Sequence, residues 1–184
     1  GACLAFDTGP ANAPINDLMR ARRRQSRDEG GALAAAGRAD SGAVADFLRH
    51  PFFDRKPPKS LDRDQFAGLA AAVSGLADAD AAATLVAALA GSVAAAFRWL
   101  PAAPALVLVC GGGRHNGAIM SALRDILPAR VMPVEAAGLD GDMLEAQAFG
   151  WLAVRVMRGL PTSGPGTTGV PAPACGGRIS HPRL

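Results

Sequence analysis

The stretch between Ala105 and Val134 restricts the fold more than any other part of the chain. Ala105-Leu106-Val107-Leu108-Val109-Cys110 is continuously apolar, and Gly111-Gly112-Gly113 follows at once. Residues 116–127 then have helical periodicity, and Arg130-Val131-Met132-Pro133-Val134 is a second mainly apolar run. A strand apolar on both faces belongs in a parallel sheet, where helices cover both sides. Strand, glycine turn, helix and strand in this order make a βαβ unit. The predicted fold class is therefore α/β, with a sheet flanked by helices.

Composition supports a packed domain and removes several alternatives. In 184 residues, 49% are hydrophobic and 19% charged, which excludes a disordered tail or a coiled coil. Residues 81–97 carry no charge and are mostly alanine, with Leu85, Val86, Leu89, Val93 and Phe97 at helical spacing. This run is shorter than a membrane span and is predicted to be a buried helix, starting at Asp78 or Asp80 and ending before Pro101. A net charge of +3, with 7 Phe, 2 Trp and no Tyr, provides neither a basic face nor a base-stacking platform for nucleic acid. Cys3, Cys110 and Cys175 form no CxxC pair, and His50, His115 and His181 form no HExxH. No His/Cys metal site is expected, and a reduced, cytoplasmic setting is the simplest reading. No secretory leader is visible at the start, which reads Gly1 rather than Met.

The remaining chain is divided by turn residues. Leu4-Ala5-Phe6 reads as a strand entering the turn Asp7-Thr8-Gly9-Pro10. A helix over 15–24 places Arg20, Arg22, Arg23 and Arg24 on a solvated face. A short helix at 32–36 follows, then one capped by Asp40 or Ser41 that stops at His50-Pro51. Arg55-Lys56-Pro57-Pro58-Lys59-Ser60 is a stiff basic loop, either a plain linker or a platform presenting Lys59 and Ser60 to a ligand. Gly138-Leu139-Asp140-Gly141-Asp142 opens a last helix, 143–158, with Asp142 as cap and Leu144, Ala148, Leu152 and Val156 as its buried stripe. Past Leu160 the Pro/Gly/Thr-rich chain is expected to be irregular.

Three constellations carry chemistry. Gly111-Gly112-Gly113 lets backbone approach a nucleotide at a helix start, or serves a tight strand-to-helix turn; it matches neither the Walker spacing nor the dinucleotide fingerprint. Asp7, at a strand end beside glycine, suits a general base or an Asx-type turn. The same triplet marks aspartic proteases, but those are β-rich and pair two such aspartates, whereas this chain is alanine-rich. Asp140, Asp142 and Glu145 suit a hydrated cation, sugar hydroxyls or a helix dipole.

Taken in order, Phe6-Asp7-Thr8-Gly9-Pro10-Ala11-Asn12, Pro57-Pro58-Lys59-Ser60, Cys110-Gly111-Gly112-Gly113 with Asn116, and Gly138-Leu139-Asp140-Gly141-Asp142 with Glu145 resemble anhydro-N-acetylmuramic acid kinases. Asp28 with Gly30, His50-Pro51-Phe52-Phe53 and Thr168-Gly169 extend the resemblance over nearly the whole chain. It implies one lobe of the actin-like (ribonuclease H-like) ATPase fold, with a mixed sheet flanked by helices. Residues 1–160 would be the C-terminal lobe and 161–184 a segment packing on it. The N-terminal lobe with its Gly-Thr-Ser phosphate loop has no counterpart in these residues. The implied reaction uses ATP and Mg²⁺ to phosphorylate O6 of the anhydro sugar while water opens the 1,6-anhydro ring, in cell-wall recycling. Asp7 would be the base, with Thr8, Gly9, Asn12, Lys59 and Glu145 toward the sugar. Gly111, Gly112, Gly113 and Asn116 would lie toward the nucleotide. The lobe alone is expected to be inactive and to self-associate, with a homodimer as the expected assembly. The alternative is a non-catalytic remnant of the same fold that binds a nucleotide or a partner. Two positions depart from the family pattern: Ala11 stands where the family usually has Gly, and Asn16 where an aspartate is common.

Overall fold

The structure, a computed structural model, describes residues 3–180. His181, Ala2 of the apolar opening and the last four residues of the C-terminal segment lie outside the described residues. The alanine-rich stretch forms the longest helix, which we number α5 (Asp78–Ala96), with Asp78 and Asp80 in its first turn opposing the helix dipole. Its buried surface is wider than the predicted stripe: Ala81, Ala82, Ala88 and Ala90 are buried together with Leu85, Val86 and Leu89. Small side chains let four helices pack closely around it. These are α1 (Ala13–Leu18), α2 (Ala32–Ala35), α3 (Ser41–Leu48) and α6 (Gly117–Ile126). Residues 78–99 are long and apolar enough to cross a membrane by composition, but 67% of their most apolar window is buried inside the fold.

Polar side chains fix the helix starts. Asp40 Oδ1 accepts from the Gly42 and Ala43 N–H groups at 2.8 and 3.0 Å, as a cap for α3. Buried Asp28 accepts from the Leu33 and Ala34 N–H groups at the start of α2. The fully buried Thr84 hydroxyl donates to Asp80 O and accepts from the Asp40 N–H, so α3 is fastened to α5 through one oxygen. Four of the seven phenylalanines make a second, aromatic cluster: Phe52, Phe53 and Phe66 are buried, with Phe47 edge-on to Phe53 and Phe66 at about 5 Å. It lies beneath the turn at Pro51–Asp54 and beside α4 (Ala67–Ala72).

The βαβ unit is present. β1 (Leu106–Val109) runs parallel to β2 (Arg130–Pro133), with Leu106 opposite Arg130 and Val109 opposite Pro133, and α6 connects them. Three expectations change. Leu4-Ala5-Phe6 is extended but joins no sheet: Ala5 N–H bonds to Gly166 O and Asp7 N–H to Lys59 O, two different segments and not one ladder. β1 is not covered on both faces, since Leu106 is 45% exposed and the others are half-buried; the described residues form only this pair of strands, so no neighbour closes the sheet. Asp142 does not cap α7 (Leu144–Met157), which starts without a side-chain cap. Nor does α7 bury the predicted stripe: Leu144, Leu152 and Val156 are half-buried and Ala148 is exposed. Phe149, Trp151 and Met157 are 65%, 58% and 72% exposed, because apolar side chains surround this helix and periodicity alone does not choose a buried face. Past Leu160 the chain is mostly irregular, with one short helix, α8 (Pro165–Thr168), and a Ser163–Ala174 bridge.

Thr84→Val tests the fastening of α3. The substitution keeps the volume and leaves the Asp40 N–H without its acceptor, so the unfolding free energy should fall by about 1–3 kcal/mol. An unchanged urea midpoint would mean that the hydroxyl is replaced by water at no cost.

Candidate active site

Asp7 is held by chain remote in sequence. Its N–H donates to Lys59 O at 3.0 Å, and its Oδ2 accepts the Leu61 N–H at 2.6 Å. The carboxylate therefore does not close a local Asx turn; it reaches across to residue 61. Its other oxygen has no hydrogen-bond partner among the described residues. Asp7 stands between two clefts. One, of about 740 Å³, is largely apolar and includes Gly9, Pro10, Leu61 and Phe66. The other, of about 510 Å³, is more polar and is walled by Lys59, Ser60, Thr167 and Thr168.

Gly9 is required by packing. A Cβ there would overlap Ser92 Oγ and lie 2.7 Å from Ser92 Cβ, on the buried face of α5. The Asp7 turn is thereby seated directly on the central helix. Pro14 occupies the first turn of α1, where its missing N–H costs nothing. Ala11, just before, has φ +49°, in the left-handed region that favours glycine.

The arginine run that follows is partly structural. α1 continues as a wider turn, Met19–Arg23, and Arg22 donates to the carbonyls of Val73, Ser74 and Leu76 at 2.8–3.0 Å. It closes the end of α4, while Arg20 and Arg23 pair with Asp17 and Asp78 on the surface.

Of the three glycines in the turn, one is required by its backbone. Gly111 has φ +68° and needs glycine, whereas Gly112 and Gly113 have ordinary φ, with room where a Cβ would stand. Asn116 Oδ1 accepts the Ile119 N–H at 3.0 Å and caps α6. Asn12, Gly112 and Asn116 line a third cavity of about 190 Å³, together with Asp28 and His115. The first motif and the glycine turn, a hundred residues apart, therefore share one wall.

Behind that turn lies a residue that sequence reasoning passed over. Arg114, its side chain 3% exposed, donates to Gly111 O at 2.9 Å, to Glu135 Oε1 at 2.7 Å and to Asp142 Oδ1 at 2.9 Å. Asp142 is therefore an ion-pair partner and not a helix cap. Asp140 instead accepts from the Asp142 and Met143 N–H groups. The hydrogen bond from Arg114 is the main cause that holds the Asp142 carboxyl below the usual carboxylate range. A backbone hydrogen bond, then Arg114, lowers Glu135 likewise. Only an arginine beside the triplet signals this network, because its partners are 21 and 28 positions away.

The other candidates are dispersed. Thr8 is half-buried, and Glu145 is exposed in the first turn of α7; neither lines the clefts beside Asp7 or the cavity at the glycine turn. Lys59 lines the more polar cleft but is buried, with its ammonium donating to the Phe52 and Phe53 carbonyls. Among the described residues no three His, Cys, Asp or Glu side chains converge to hold a metal ion.

A mostly helical α/β chain with a glycine turn after a parallel strand and an aspartate beside two clefts fits the sugar kinase and actin-like ATPase fold. A family model described as Anhydro-N-acetylmuramic acid kinase matches residues 1–182, and the chain belongs to that family. It is 63% identical to the anhydro-N-acetylmuramic acid kinase of Cereibacter sphaeroides over 99% of this chain and 49% of the relative. It is 60% identical to anhydro-N-acetylmuramic acid kinase 1 of a Jannaschia species, over 99% of this chain and 48% of that protein. The enzyme of that name from Caulobacter vibrioides is 51% identical over 97% of this chain and 48% of its own length. The chain thus spans about half the length of the curated relatives it matches.

Two substitutions test this geometry. Ala11→Gly removes left-handed strain of about 1–2 kcal/mol and adds unfolded-state freedom of about 0.5–1 kcal/mol, so stability should rise by several tenths of a kcal/mol. A lower melting temperature would contradict the backbone assignment. Arg114→Met should lower the melting temperature at pH 6 and loosen the glycine turn to hydrogen exchange. Because Glu135 and Asp142 have lowered folded pKa values, their stabilisation is present above the ordinary carboxylate range and is lost as pH falls through the folded values. The difference between the two proteins should therefore shrink toward pH 3; a constant difference would place the effect elsewhere.

Proposed function

We propose that this chain supplies the base-bearing, C-terminal half of a kinase that opens and phosphorylates anhydro-N-acetylmuramic acid. The observation that carries the reading is Asp7, tied at main chain and carboxylate to residues 59–61 and left with one oxygen toward the clefts. In the reaction, water attacks the anomeric carbon and gives its proton to Asp7. The bond from that carbon to O6 breaks, and O6 takes the γ-phosphoryl group as the bond to the β-phosphate oxygen breaks, leaving ADP. The product is N-acetylmuramic acid 6-phosphate, an intermediate of cell-wall recycling.

Sugar and nucleotide would meet where the two motifs adjoin, with Asn12 beside Gly112. ATP would lie along residues 111–113. When bound with ATP, Mg²⁺ would supply charge neutralisation on the phosphates. The phosphate loop would come from the N-terminal lobe, so the 184 residues alone should show no transfer. The apolar side chains of α7 support a covered surface in the whole protein, against that lobe or across a homodimer. A cytoplasmic location agrees with the nucleotide requirement.

The test uses the full-length protein with ATP, Mg²⁺ and the anhydro sugar in ¹⁸O-water. The 6-phosphate should form with label at the anomeric position, and Asp7→Asn should lower kcat by about 10²–10⁴-fold. Nucleotide binding without any sugar phosphorylation would support the non-catalytic alternative instead.

A further inference from the structure

Resting on the reading of Asp7 as the base, we infer that Lys59 is a positioning residue for Asp7 that acts through its own main chain, and not a ligand of the sugar. Lys59 is 7% exposed. Its Nζ donates to Phe52 O at 3.0 Å and Phe53 O at 3.4 Å, and stands 4.4 Å from the Phe52 ring centroid. A buried ammonium requires such partners, and here two carbonyls and a ring face provide them. The carbonyls belong to the turn Pro51–Asp54, whose Phe52 and Phe53 are in the aromatic core. Desolvation, then the nearby Arg98 and Arg55 charges, lowers the Lys59 pKa, consistent with an ammonium turned inward.

The same residue holds the base. Lys59 O accepts the Asp7 N–H at 3.0 Å, and two residues later the Leu61 N–H donates to Asp7 Oδ2 at 2.6 Å. The short segment 59–61 thus grips Asp7 at two points, and the Lys59 side chain pins that segment to a rigid core. Catalytic geometry is sensitive to displacements of about 1 Å, which can cost roughly 10²-fold in rate. An ammonium 52 positions from Asp7 in sequence is therefore placed to set where the base sits without touching substrate.

The experiment compares Lys59→Met and Lys59→Arg with the unchanged full-length protein. It measures kcat, KM for the anhydro sugar and for ATP, melting temperature, and the amide ¹H–¹⁵N shift of Leu61. Lys59→Met should lower kcat by about 10–100-fold with both KM values within about twofold, and move the Leu61 amide upfield. Lys59→Arg, which still donates to both carbonyls, should recover most of the kcat and of the Leu61 shift. A raised sugar KM at unchanged kcat would overturn the proposal and make Lys59 a sugar ligand. A lower melting temperature with kcat and the Leu61 shift unchanged would overturn it in favour of a purely structural role. If Lys59→Met does not fold, a Lys59→Arg protein with unchanged Leu61 shift and at least half the kcat supports the proposal; one that folds with the shift and kcat lost overturns it. Absence of turnover in the unchanged protein would refute the kinase reading separately, and the Leu61 shift would still decide whether Lys59 holds Asp7.

Discussion

The buried surface of α5 is the support on which four other helices and the Asp7 turn rest. Its alanines allow α1, α2, α3 and α6 to approach closely, and its two buried hydroxyls are used at contacts. Thr84 bonds to the start of α3. Ser92 is the floor on which Gly9 rests, so the turn that bears Asp7 is located by contact with the helix core. A fold whose largest core element is composed of small residues gains little from any one side chain. It depends on many close contacts, none of which tolerates an added methyl group well.

Two separate anchors then convert this support into a site. On one side the aromatic cluster holds Lys59, and residues 59–61 hold Asp7. On the other, Arg114 joins Gly111 O, Glu135 and Asp142, so the glycine turn is tied to the Gly138–Asp142 segment. Both anchors are cations withdrawn from water and satisfied by carbonyls or carboxylates. Between them Asn12 meets Gly112, which is where a sugar and a nucleotide would come together. The outer helix α7 leaves this frame, with no buried residue of its own.

Much of this was legible from the amino-acid sequence alone. The βαβ unit, the Ala-rich core helix and a cap at Asp40 or Ser41 follow from local pattern and spacing, because hydrophobic period, turn residues and caps act within a few positions. Contacts between residues distant in sequence leave no such local mark. Local pattern puts Asp142 at a helix start, whereas its partner, Arg114, is 28 positions earlier. Residues 4–6 have the pattern of a strand, but the backbone partners of Ala5 and Asp7, at 166 and 59, belong to separate segments. Apolar spacing suggests a stripe on α7, but that helix is apolar on several sides.

The sequence by itself determined which elements form and which residue types stand at their ends, since these are set by dihedral preference, capping and periodic burial. The tertiary structure alone decided how the charged side chains are used. The Lys59 ammonium, on a loop that suits a linker or a ligand platform equally, donates to the Phe52 and Phe53 carbonyls; Arg22, on a helix face expected to be solvated, closes α4. Asp7 suited a local turn as well as a base and is oriented by Leu61. A charge is spent on whichever partner the fold brings within about 3 Å, and no local rule contains that distance.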